Sequence, residues 1–397
     1  MTTTDVTNVL VLNCGSSSVK IALLDPASGC RKLTGLAERI GGSDAVVHLR
    51  RDGQETSGAP SDPSHRGVVA HLLDSLSLHE RSSIAAVGHR VVHGGRRFVE
   101  SVLLDDAVMA RLRGLVDLAP LHLPANCAGI EAARAELPST PQVAVFDTAF
   151  HHTMPPVAYH YAVPREWHDE HNVRRYGFHG TSHRYVSERA AELLDRPLQG
   201  LRMVTLHLGN GCSAAAVRDG VSVDTTMGMT PLEGLVMGTR SGDIDPGMLG
   251  YIADRLGLDL PGVLDQLNTR SGLLGLSKVS NDMRTLTVAA HNGSAEAALA
   301  IDVFCYRVAK AVGALTVALG RLDALVFTGG IGEHSVDVRS AVLGHLKVLG
   351  VQEDPAANRD HGRRTAGRVS VEGRVAALVV PTDEELVIAR DTWELVP

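Results

Sequence analysis

The sequence predicts an α/β protein of two domains, each of which begins with a strand, a polar glycine turn and a second strand. The first such unit spans residues 9–24 and the second spans 203–217, and this weak repetition indicates a duplicated α/β core. At 397 residues, the chain is too long for one ordinary core. Hydrophobic residues make up 44% of the chain and charged residues 21%, a balance that excludes a disordered or fibrous protein.

Charge and cysteine content exclude several further classes. A net charge of −7, without a dense basic stripe, argues against a nucleic-acid-binding protein. No apolar run reaches the ~18 residues of a membrane helix, and residues 1–5 do not resemble a signal peptide. The five cysteines form no C-x-x-C pair, so neither a disulfide framework nor a thiolate zinc site is indicated. We therefore expect a cytoplasmic protein with no membrane or nucleic-acid partner.

The other elements follow from apolar periodicity and turn residues. Residues 48–66 are rich in Arg, Asp, Gly, Pro and Ser and predict an exposed loop or hairpin. Buried strands are expected at 84–87, 142–146, 325–327 and 375–380. Helical spacing predicts helices at 68–77, 104–118, 125–136, 164–172 and 301–319, and a last one from residue 384.

Three glycine-rich turns suit anion binding, because small residues let backbone N–H groups approach a phosphate closely. The turn at 13–18 adds three serine hydroxyls and is followed by Lys20, which could neutralise phosphate charge. The turn at 329–332 follows a buried strand and precedes a helix, where a nucleotide can bind. Walker A and dinucleotide-fingerprint spacings are both absent. Each turn alone is commonplace, but with the turn at 209–211 they favour a nucleotide in a cleft between two domains.

Four charged residues lie where they could handle a substrate, and structural alternatives remain open for them. Asp147 ends a core strand, where open sheets bind ligands, or it caps a turn. Arg90 could clamp a small carboxylate with two hydrogen bonds, or form a salt bridge. Arg240, in a glycine-rich segment, could stabilise charge on a transferring phosphoryl group. Glu384 and its acidic neighbours could hold Mg²⁺ or complement a helix dipole.

The 19 histidines raise the possibility of zinc. His179 and His183 are four residues apart, and His168 and His171 are three apart. However, no H-E-x-x-H pattern occurs, and neighbouring glycines argue against a regular helix through His179. We therefore interpret His179 as a hydrogen-bond donor to a phosphate or transition state. A metal hydrolase and a non-catalytic ATP-dependent chaperone or scaffold remain as alternatives.

Long motifs extend in order along almost the whole chain: Asn13–Lys20 (NCGSSSVK), Gly88–Gly95 (GHRVVHGG), Ala119–Asn126 (APLHLPAN), Phe146–Pro155 (FDTAFHHTMP), Arg174–His183 (RRYGFHGTSH), His207–Ser213 (HLGNGCS), Asp224–Pro246, Phe327–Ser335 (FTGGIGEHS) and Thr382–Leu386 (TDEEL). With these motifs the chain resembles the acetate kinases, of the acetate and sugar kinase, Hsp70 and actin superfamily. The resemblance implies a homodimeric kinase that transfers the γ-phosphoryl group of ATP reversibly to acetate, giving acetyl phosphate and ADP by direct in-line transfer. It implies Mg²⁺ as the metal, with Mn²⁺ as a possible substitute.

The resemblance also implies two ribonuclease-H-like (actin-like ATPase) domains with an active-site cleft between them. An N-terminal acetate and phosphate domain would span residues 1–150 with 385–397. A C-terminal nucleotide-binding and dimerisation domain would span 151–384. Because pocket volume alone separates acetate from propionate or butyrate, those acids remain alternative substrates.

Matching positions imply a role for each site residue. Catalysis would fall to Asp147, His179 and Arg240, and metal binding to Asn13 and Glu384. Acetate would be bound by Arg90, Val92, Leu121, Phe178 and Pro231. The phosphates and nucleotide would be bound by Ser16, Ser18, Lys20, His207, Leu208, Gly209, Asn210, Gly211, Asp282, Met283, Arg284, Gly330, Ile331, Gly332, Glu333 and His334. The chain departs from the family's pattern at Asp383, which usually is asparagine, so the metal shell is open to question there. A phosphoenzyme formed on Glu384 is the competing mechanism.

Overall fold

The computed structural model describes residues 7–396, which divide into two compact units. Unit 1 comprises the residues through Ala149 together with those from Asp383 onward, and unit 2 is Phe150–Thr382. Each unit contains one mixed β-sheet and packed helices, so the predicted two-domain α/β fold is confirmed. No helix within residues 7–396 is both long and apolar enough to cross a membrane.

Unit 1 is built on an eight-stranded sheet. Its strands are β1 (Asn8–Cys14), β2 (Ser18–Leu24), β3 (Arg31–Glu38), β4 (Val46–Arg51), β5 (Gln54–Gly58), β6 (Ile84–Val91), β7 (Val102–Leu103) and β8 (Gln142–Phe146). Its first helices are α1 (His65–Asp74), α2 (Leu78–Ser82), α3 (Asp106–Arg113) and α4 (Leu123–Glu136). The strands lie in the order β5-β4-β3-β2-β1-β6-β8-β7.

Unit 2 has a five-stranded sheet in the order β11-β10-β9-β12-β13. Its strands are β9 (Arg202–Leu208), β10 (Cys212–Arg218), β11 (Val221–Thr225), β12 (Ala324–Thr328) and β13 (Ala376–Val379). Its helices are α5 (Pro156–Tyr159), α6 (Arg165–His171), α7 (Gly180–Leu193), α8 (Gly247–Leu256), α9 (Leu260–Thr269), α10 (Gly272–Ser277), α11 (Met283–His291), α12 (Ala295–Leu319), α13 (Gly329–His334), α14 (Val336–His345) and α15 (Pro355–Arg359). The chain then returns to unit 1 as α16 (Glu384–Leu395).

Both sheets share one topology. In unit 1, β1 pairs antiparallel with β2 on one side and parallel with β6 on the other, and β6 pairs parallel with β8. In unit 2, β9 pairs antiparallel with β10 and parallel with β12, which pairs parallel with β13. The predicted repetition of strand, turn and strand is thus a repetition of the core, since the first two strands of each sheet form the hairpin and parallel strands pair beside it.

The predicted elements differ from the structure mainly at their ends. The segment at 48–66 contains the hairpin β4–β5, one of the two alternatives. The helix predicted at 104–118 is shorter, because α3 ends at Arg113 before Gly114 and a short 3₁₀ turn follows at Val116–Leu118. Sequence reasoning missed β3, β7, β11, α2, α5, α7, α15 and the helices between 247 and 291. Strand β11 contains only two apolar residues, Val221 and Val223, so its apolar signal is weak.

Helix α16 reaches the sheet of unit 1 because β6 carries a glycine where the two pack. A Cβ atom on Gly88 would lie 2.3 Å from Oγ1 of Thr392 and 2.8 Å from a methyl group of Ile388. No side chain therefore fits between β6 and α16. This close approach brings the first turn of α16, which carries Glu384, to the strand that carries Arg90.

Candidate active site

In unit 1, Arg90 and Asp147 form a two-pronged ion pair. Because β6 and β8 are parallel neighbours, both residues lie at the same edge of the sheet, where β6 and β8 end. Nε of Arg90 donates to Oδ1 of Asp147 at 2.8 Å, and Nη2 donates to Oδ2 at 2.6 Å. Asp147 is 1% exposed. The salt-bridge alternative for Arg90 is therefore realised, and the pair supplies a buried charged centre at this edge.

The charge of Arg90 is reinforced by its surroundings. Burial by itself lowers the pKa of Arg90, but the carboxylates of Asp147 and Glu384 outweigh burial and raise it. The third polar group is Asn13 at the end of β1, whose Oδ1 accepts from Nη1 of Arg90 at 3.5 Å. The guanidinium of Arg90 is thus hydrogen-bonded to Asp147 and Asn13 and interacts electrostatically with Glu384.

A buried asparagine, Asn126, connects the ends of β1 and β6 by hydrogen bonds. The sequence predicted no role for it. Oδ1 of Asn126 accepts from the backbone N–H of Val92 at 3.0 Å, and its Nδ2 donates to the carbonyl of Cys14 at 2.6 Å. Both ends of the Asn126 amide are hydrogen-bonded, and the residue is 3% exposed. It joins the segment after β6 to the turn after β1, and only its place inside the motif at 119–126 pointed to it.

The other predicted residues of unit 1 are more exposed. Lys20 pairs with Asn13 across the β1–β2 hairpin, so both side chains lie on one face of the sheet. Lys20 lines a groove that also contains Glu38 and Glu385. Ser16 is exposed and Ser18 half-buried in the turn, which is closed by the N–H of Gly15 on the carbonyl of Ser18 at 2.7 Å. Val92 is half-buried, whereas Leu121 is 63% exposed.

Asp383, the departure from the family's pattern, already has two partners. Its carboxylate accepts from Nη2 of Arg31 at 2.5 Å and from the N–H of Leu386 at 3.0 Å, so that it caps α16. Glu385 also binds Arg31, at 3.2 Å. Of the three acidic residues, Glu384 is the one that faces Arg90 electrostatically.

In unit 2, a glycine turn brings a histidine and an arginine together. His179 is the residue before α7 and has a left-handed backbone with φ 57°, a strained state for a non-glycine residue, and its side chain does not cap the helix. Its ring stacks on His207, with ring centroids 4.2 Å apart. A Cβ atom on Gly211 would lie 3.5 Å from Nε2 of His179 and 3.2 Å from Nη2 of Arg240. Gly211 therefore forms a wall on which these two donors converge.

Arg240 differs from Arg90 in having no carboxylate partner among residues 7–396. Its Nη1 donates to the carbonyl of Pro231 at 2.7 Å, which orients the guanidinium. Burial lowers the pKa of Arg240, and the nearby Cys212 opposes this effect. A half-buried guanidinium held by a neutral carbonyl beside Gly211 suits an anionic ligand.

A cavity of about 690 Å³ lies beside the glycine turns of unit 2. The two turns meet closely, because a Cβ atom on Gly329 would lie 2.7 Å from the carbonyl oxygen of Leu208. Predicted nucleotide residues in the lining are Gly209, Asn210, Asp282, Met283, Arg284, Gly330, Ile331 and His334. Lining residues that sequence reasoning missed are Asn281, Thr287, Ser335, Val336 and Asp337. The volume lies in the range of small-molecule and cofactor sites.

Several predicted nucleotide residues lie behind the cavity wall. Leu208 and Gly332 are buried in the fold. The carboxylate of Glu333 accepts from the N–H of Gly329 at 3.0 Å and from the N–H of Thr382 at 3.3 Å. Glu333 thus places an anion at the start of α13, and the fully buried Arg339 donates to the carbonyls of Gly332 and Glu333. Glu333 and Arg339 therefore stabilise the backbone of the glycine segment at 329–332 on the side away from the cavity.

The described residues do not support the zinc alternative. No group of three or more His, Cys, Asp or Glu side chains within residues 7–396 could hold a metal ion. His183 is bound through both ring nitrogens to Thr205 and Ser213.

Comparison with known proteins shows the family to which this chain belongs. Residues 8–390 match the model of the acetokinase family. The chain belongs to this family. The acetate kinase of Deinococcus radiodurans is 55% identical over 388 residues, covering 98% of each chain, and that of Chromobacterium violaceum is 50% identical over 389 residues, again covering 98% of each. The predicted resemblance is thereby confirmed.

Solved structures of two similar kinases have the same fold as this chain. A propionate kinase from Francisella tularensis matches with a TM-score of 0.93 at 44% identity, covering 98% of this chain and 100% of the other. The acetate kinase of Porphyromonas gingivalis matches with a TM-score of 0.91 at 42% identity and the same coverage.

Proposed function

We propose that this member of the acetokinase family catalyses the reversible transfer of the γ-phosphoryl group of ATP to acetate, giving acetyl phosphate and ADP. The observation that carries the proposal is the convergence of His179 and Arg240 on Gly211, next to a cavity of about 690 Å³. Two donors aimed at one wall can stabilise the charge of a phosphoryl group in transfer. A non-catalytic ATP-dependent scaffold has no need of this pair.

We assign the nucleotide to unit 2 and acetate to unit 1. The cavity is lined by the exposed backbone at Gly330 and Ile331, and Asp282 caps α11 where it binds Arg284 at 3.0 Å. In unit 1, the half-buried Arg90 is the cation beside the half-buried Val92. Acetate would bind through its carboxylate to Arg90, with its methyl group against Val92.

The oxygen donors around Arg90 fit a magnesium ion. Mg²⁺ binds through one or two carboxylates and keeps waters and substrate phosphates as its other ligands. Asn13, Asp147 and Glu384 supply such oxygens, and Mn²⁺ could replace Mg²⁺ at them. Bound there, the metal would neutralise phosphate charge. Asp383 would stay outside the metal shell, because Arg31 and the α16 cap occupy its carboxylate.

The reaction needs positioning and positive charge rather than a general base. Acetate is a carboxylate like that of glutamate, whose pKa is about 4.3, so it is ionised at neutral pH. The barrier is therefore the approach of two anions, which Arg90 and Arg240 oppose with positive charge. We propose direct in-line transfer, with His179 and Arg240 donating to the phosphoryl oxygens. Isolation of a phosphate bound covalently to Glu384 during turnover would instead favour the phosphoenzyme route.

Trapping of the acyl phosphate tests the function. The protein would be incubated with MgATP and acetate, propionate or butyrate in turn, and the product captured with hydroxylamine as a hydroxamate. We expect the highest kcat/KM with acetate. One added methylene changes the binding free energy by about 1–3 kcal/mol. A preference for propionate would therefore change the assigned substrate but not the assigned reaction. Absence of hydroxamate with all three acids would refute the proposed kinase activity.

We further propose a homodimer formed through α8 and α9. Helix α8 buries none of its residues, and its Tyr251 is 61% exposed. Exposed apolar residues continue along α9 at Leu260 and Leu264. An apolar face of this kind on one chain is typical of a surface that a second copy covers.

Replacement of Tyr251 by aspartate should turn the dimer into a monomer, because a charge in an apolar contact loses its hydration without a partner. Light scattering during size exclusion measures the mass. As a control, Val348→Asp changes an apolar residue that is 88% exposed on another surface and should stay dimeric. A monomeric unmodified protein at micromolar concentration would contradict the proposed interface.

The compartment proposed is the cytoplasm. All five cysteines are free thiols in the structure. Four of them, Cys14, Cys127, Cys212 and Cys305, are buried. A reducing compartment keeps such thiols unpaired.

A further inference from the structure

Behind His179 lies a chain of buried hydrogen bonds that the proposed transfer does not use. Nδ1 of His179 is 2.9 Å from Oγ of Ser213, and Nε2 of His183 is 2.7 Å from the same oxygen. Nδ1 of His183 is in turn 2.7 Å from Oγ1 of Thr205. Ser213, His183 and Thr205 are all 0% exposed. We call Thr205, His183 and Ser213 the His179 relay.

The fold explains why these groups meet. Ser213 on β10 pairs directly with His207 on β9, and Thr205 is two residues before His207, so all three side chains lie on one face of the sheet. Helix α7 packs over that face and contributes His183, with His179 immediately before its first residue. Strand register and helix position together place the relay directly behind the ring of His179.

Proton counting gives the relay a direction. Ser213 has one hydroxyl hydrogen and lies between two ring nitrogens, so it donates to one and accepts from the other. Burial, followed by the nearby His151 and His207, places the pKa of His183 well below its usual value, so His183 is neutral with one N–H. Thr205 Oγ1 makes no other hydrogen bond among residues 7–396, and only donation to His183 satisfies its hydrogen.

The remaining bonds then follow in order. Since Thr205 donates to Nδ1 of His183, the single proton of His183 lies on Nε2 and is donated to Ser213. Ser213 then donates to Nδ1 of His179. A nitrogen that accepts a hydrogen bond carries no proton, so the proton of neutral His179 lies on Nε2, the nitrogen on the side of Gly211.

A second histidine and an arginine lie beside His179. His207 stacks on it at 4.2 Å, and Nη2 of the permanently charged Arg240 lies beside the same glycine wall. His207 has its own hydroxyl chain: Ser182 is 2.8 Å from Nδ1 of His207, and Thr382 donates to Ser182 at 2.8 Å. Both stacked rings thus present Nδ1 to a serine hydroxyl.

We propose that the Thr205–His183–Ser213 relay holds His179 as a neutral imidazole with its N–H on Nε2, so that it donates to the phosphoryl group without titrating into the imidazolium form. This inference rests on the proposed function for the role of His179. Ser213, His183 and Thr205 are positioning residues, because they act through His179.

Nitrogen NMR of ¹⁵N-labelled histidine in the whole protein tests the proposal without any substrate. At pH 7, His179, assigned with a His179→Gln variant, should show a protonated Nε2 and an unprotonated Nδ1. Ser213→Ala should give a mixture of both tautomers. It should also lower kcat about tenfold, the scale of one lost hydrogen bond, with little change in the KM for ATP or acetate.

Two further variants separate positioning from folding. Thr205→Val keeps the shape of the side chain, removes only the first donor, and should shift the His183 and His179 tautomers in the same way. Ser187→Ala is the matched control, because Ser187 is buried on α7 and its hydroxyl binds only the carbonyl of Arg184. Its spectra and kcat should match those of the unmodified protein.

The result that overturns the inference is an imidazolium His179 at pH 7, or an unchanged tautomer and kcat in both Ser213→Ala and Thr205→Val. If Ser213→Ala does not fold, the unmodified protein and Thr205→Val decide the question. A protein that makes no acyl phosphate but shows the expected tautomer would refute the proposed function and leave the relay in place.

Discussion

Replacing Arg240 with alanine is expected to lower kcat by roughly 10²-fold or more, the scale measured when one transition-state donor is removed. Arg240 is the guanidinium of unit 2 that is held by a carbonyl and directed to Gly211, so it is available to a phosphoryl group. KM for acetate should change far less than kcat, since the interaction strengthens only as charge moves in transfer. Steady-state kinetics of acyl phosphate formation gives both constants.

A surface arginine of the same unit provides the control for this variant. Arg189→Ala removes an exposed ion pair with Glu192 on α7 and should leave kcat unchanged. Arg240→Lys should recover little activity, because an ammonium cannot reproduce the planar fork that Pro231 orients. Near-normal turnover in Arg240→Ala would remove Arg240 from the mechanism.

Replacing Arg90 with alanine should raise the KM for acetate and lower kcat, with a combined loss in kcat/KM of roughly 10²-fold. Arg90 is the half-buried guanidinium that unit 1 places beside Asn13 and Asp147. The same change should also cost stability. Asp147 is 1% exposed and would lose both hydrogen bonds from Arg90 to its buried charge, a loss of about 3–5 kcal/mol in the free energy of unfolding.

A double variant distinguishes the two effects of Arg90. Arg90→Ala with Asp147→Asn removes the uncompensated carboxylate, so most of the lost stability should return in urea unfolding while kcat/KM stays low. Arg113→Ala, which breaks an exposed pair with Glu131, is the control for removing an arginine from unit 1. If the double variant regained activity along with stability, Arg90 would be a structural residue only.

Local sequence could predict the parts of the site that lie in one turn or at the end of one strand. Asp147 was a candidate because it ends an apolar strand, and Arg90 because its guanidinium stands beside small apolar residues. The glycine turns were visible in the same way. The ion pair itself was one of two alternatives, because whether Arg90 meets a substrate or Asp147 depends on side-chain distances that no spacing along the chain contains.

Residues that act across long separations could not be predicted. Asn126 binds the carbonyl of Cys14 across 112 positions, and His183 binds Ser213 across 30. Nothing in the pattern of α4 marks its asparagine as a connector, and His183 drew attention only as a possible zinc ligand. Both bonds require burial, and burial is decided by the elements that pack on each other.

By itself, the sequence determined the class of the protein: a duplicated α/β core, three glycine-rich turns, and motifs that identify the acetokinase family. These follow from chemistry carried within a few neighbouring residues. Only the tertiary structure decided that Arg90 is held by Asp147, that Glu384 reaches Arg90 because Gly88 lets α16 approach β6, and that a buried relay stands behind His179. Hydrogen-bond partners and protonation states depend on distances of about 3 Å, which arise only when distant segments are packed together.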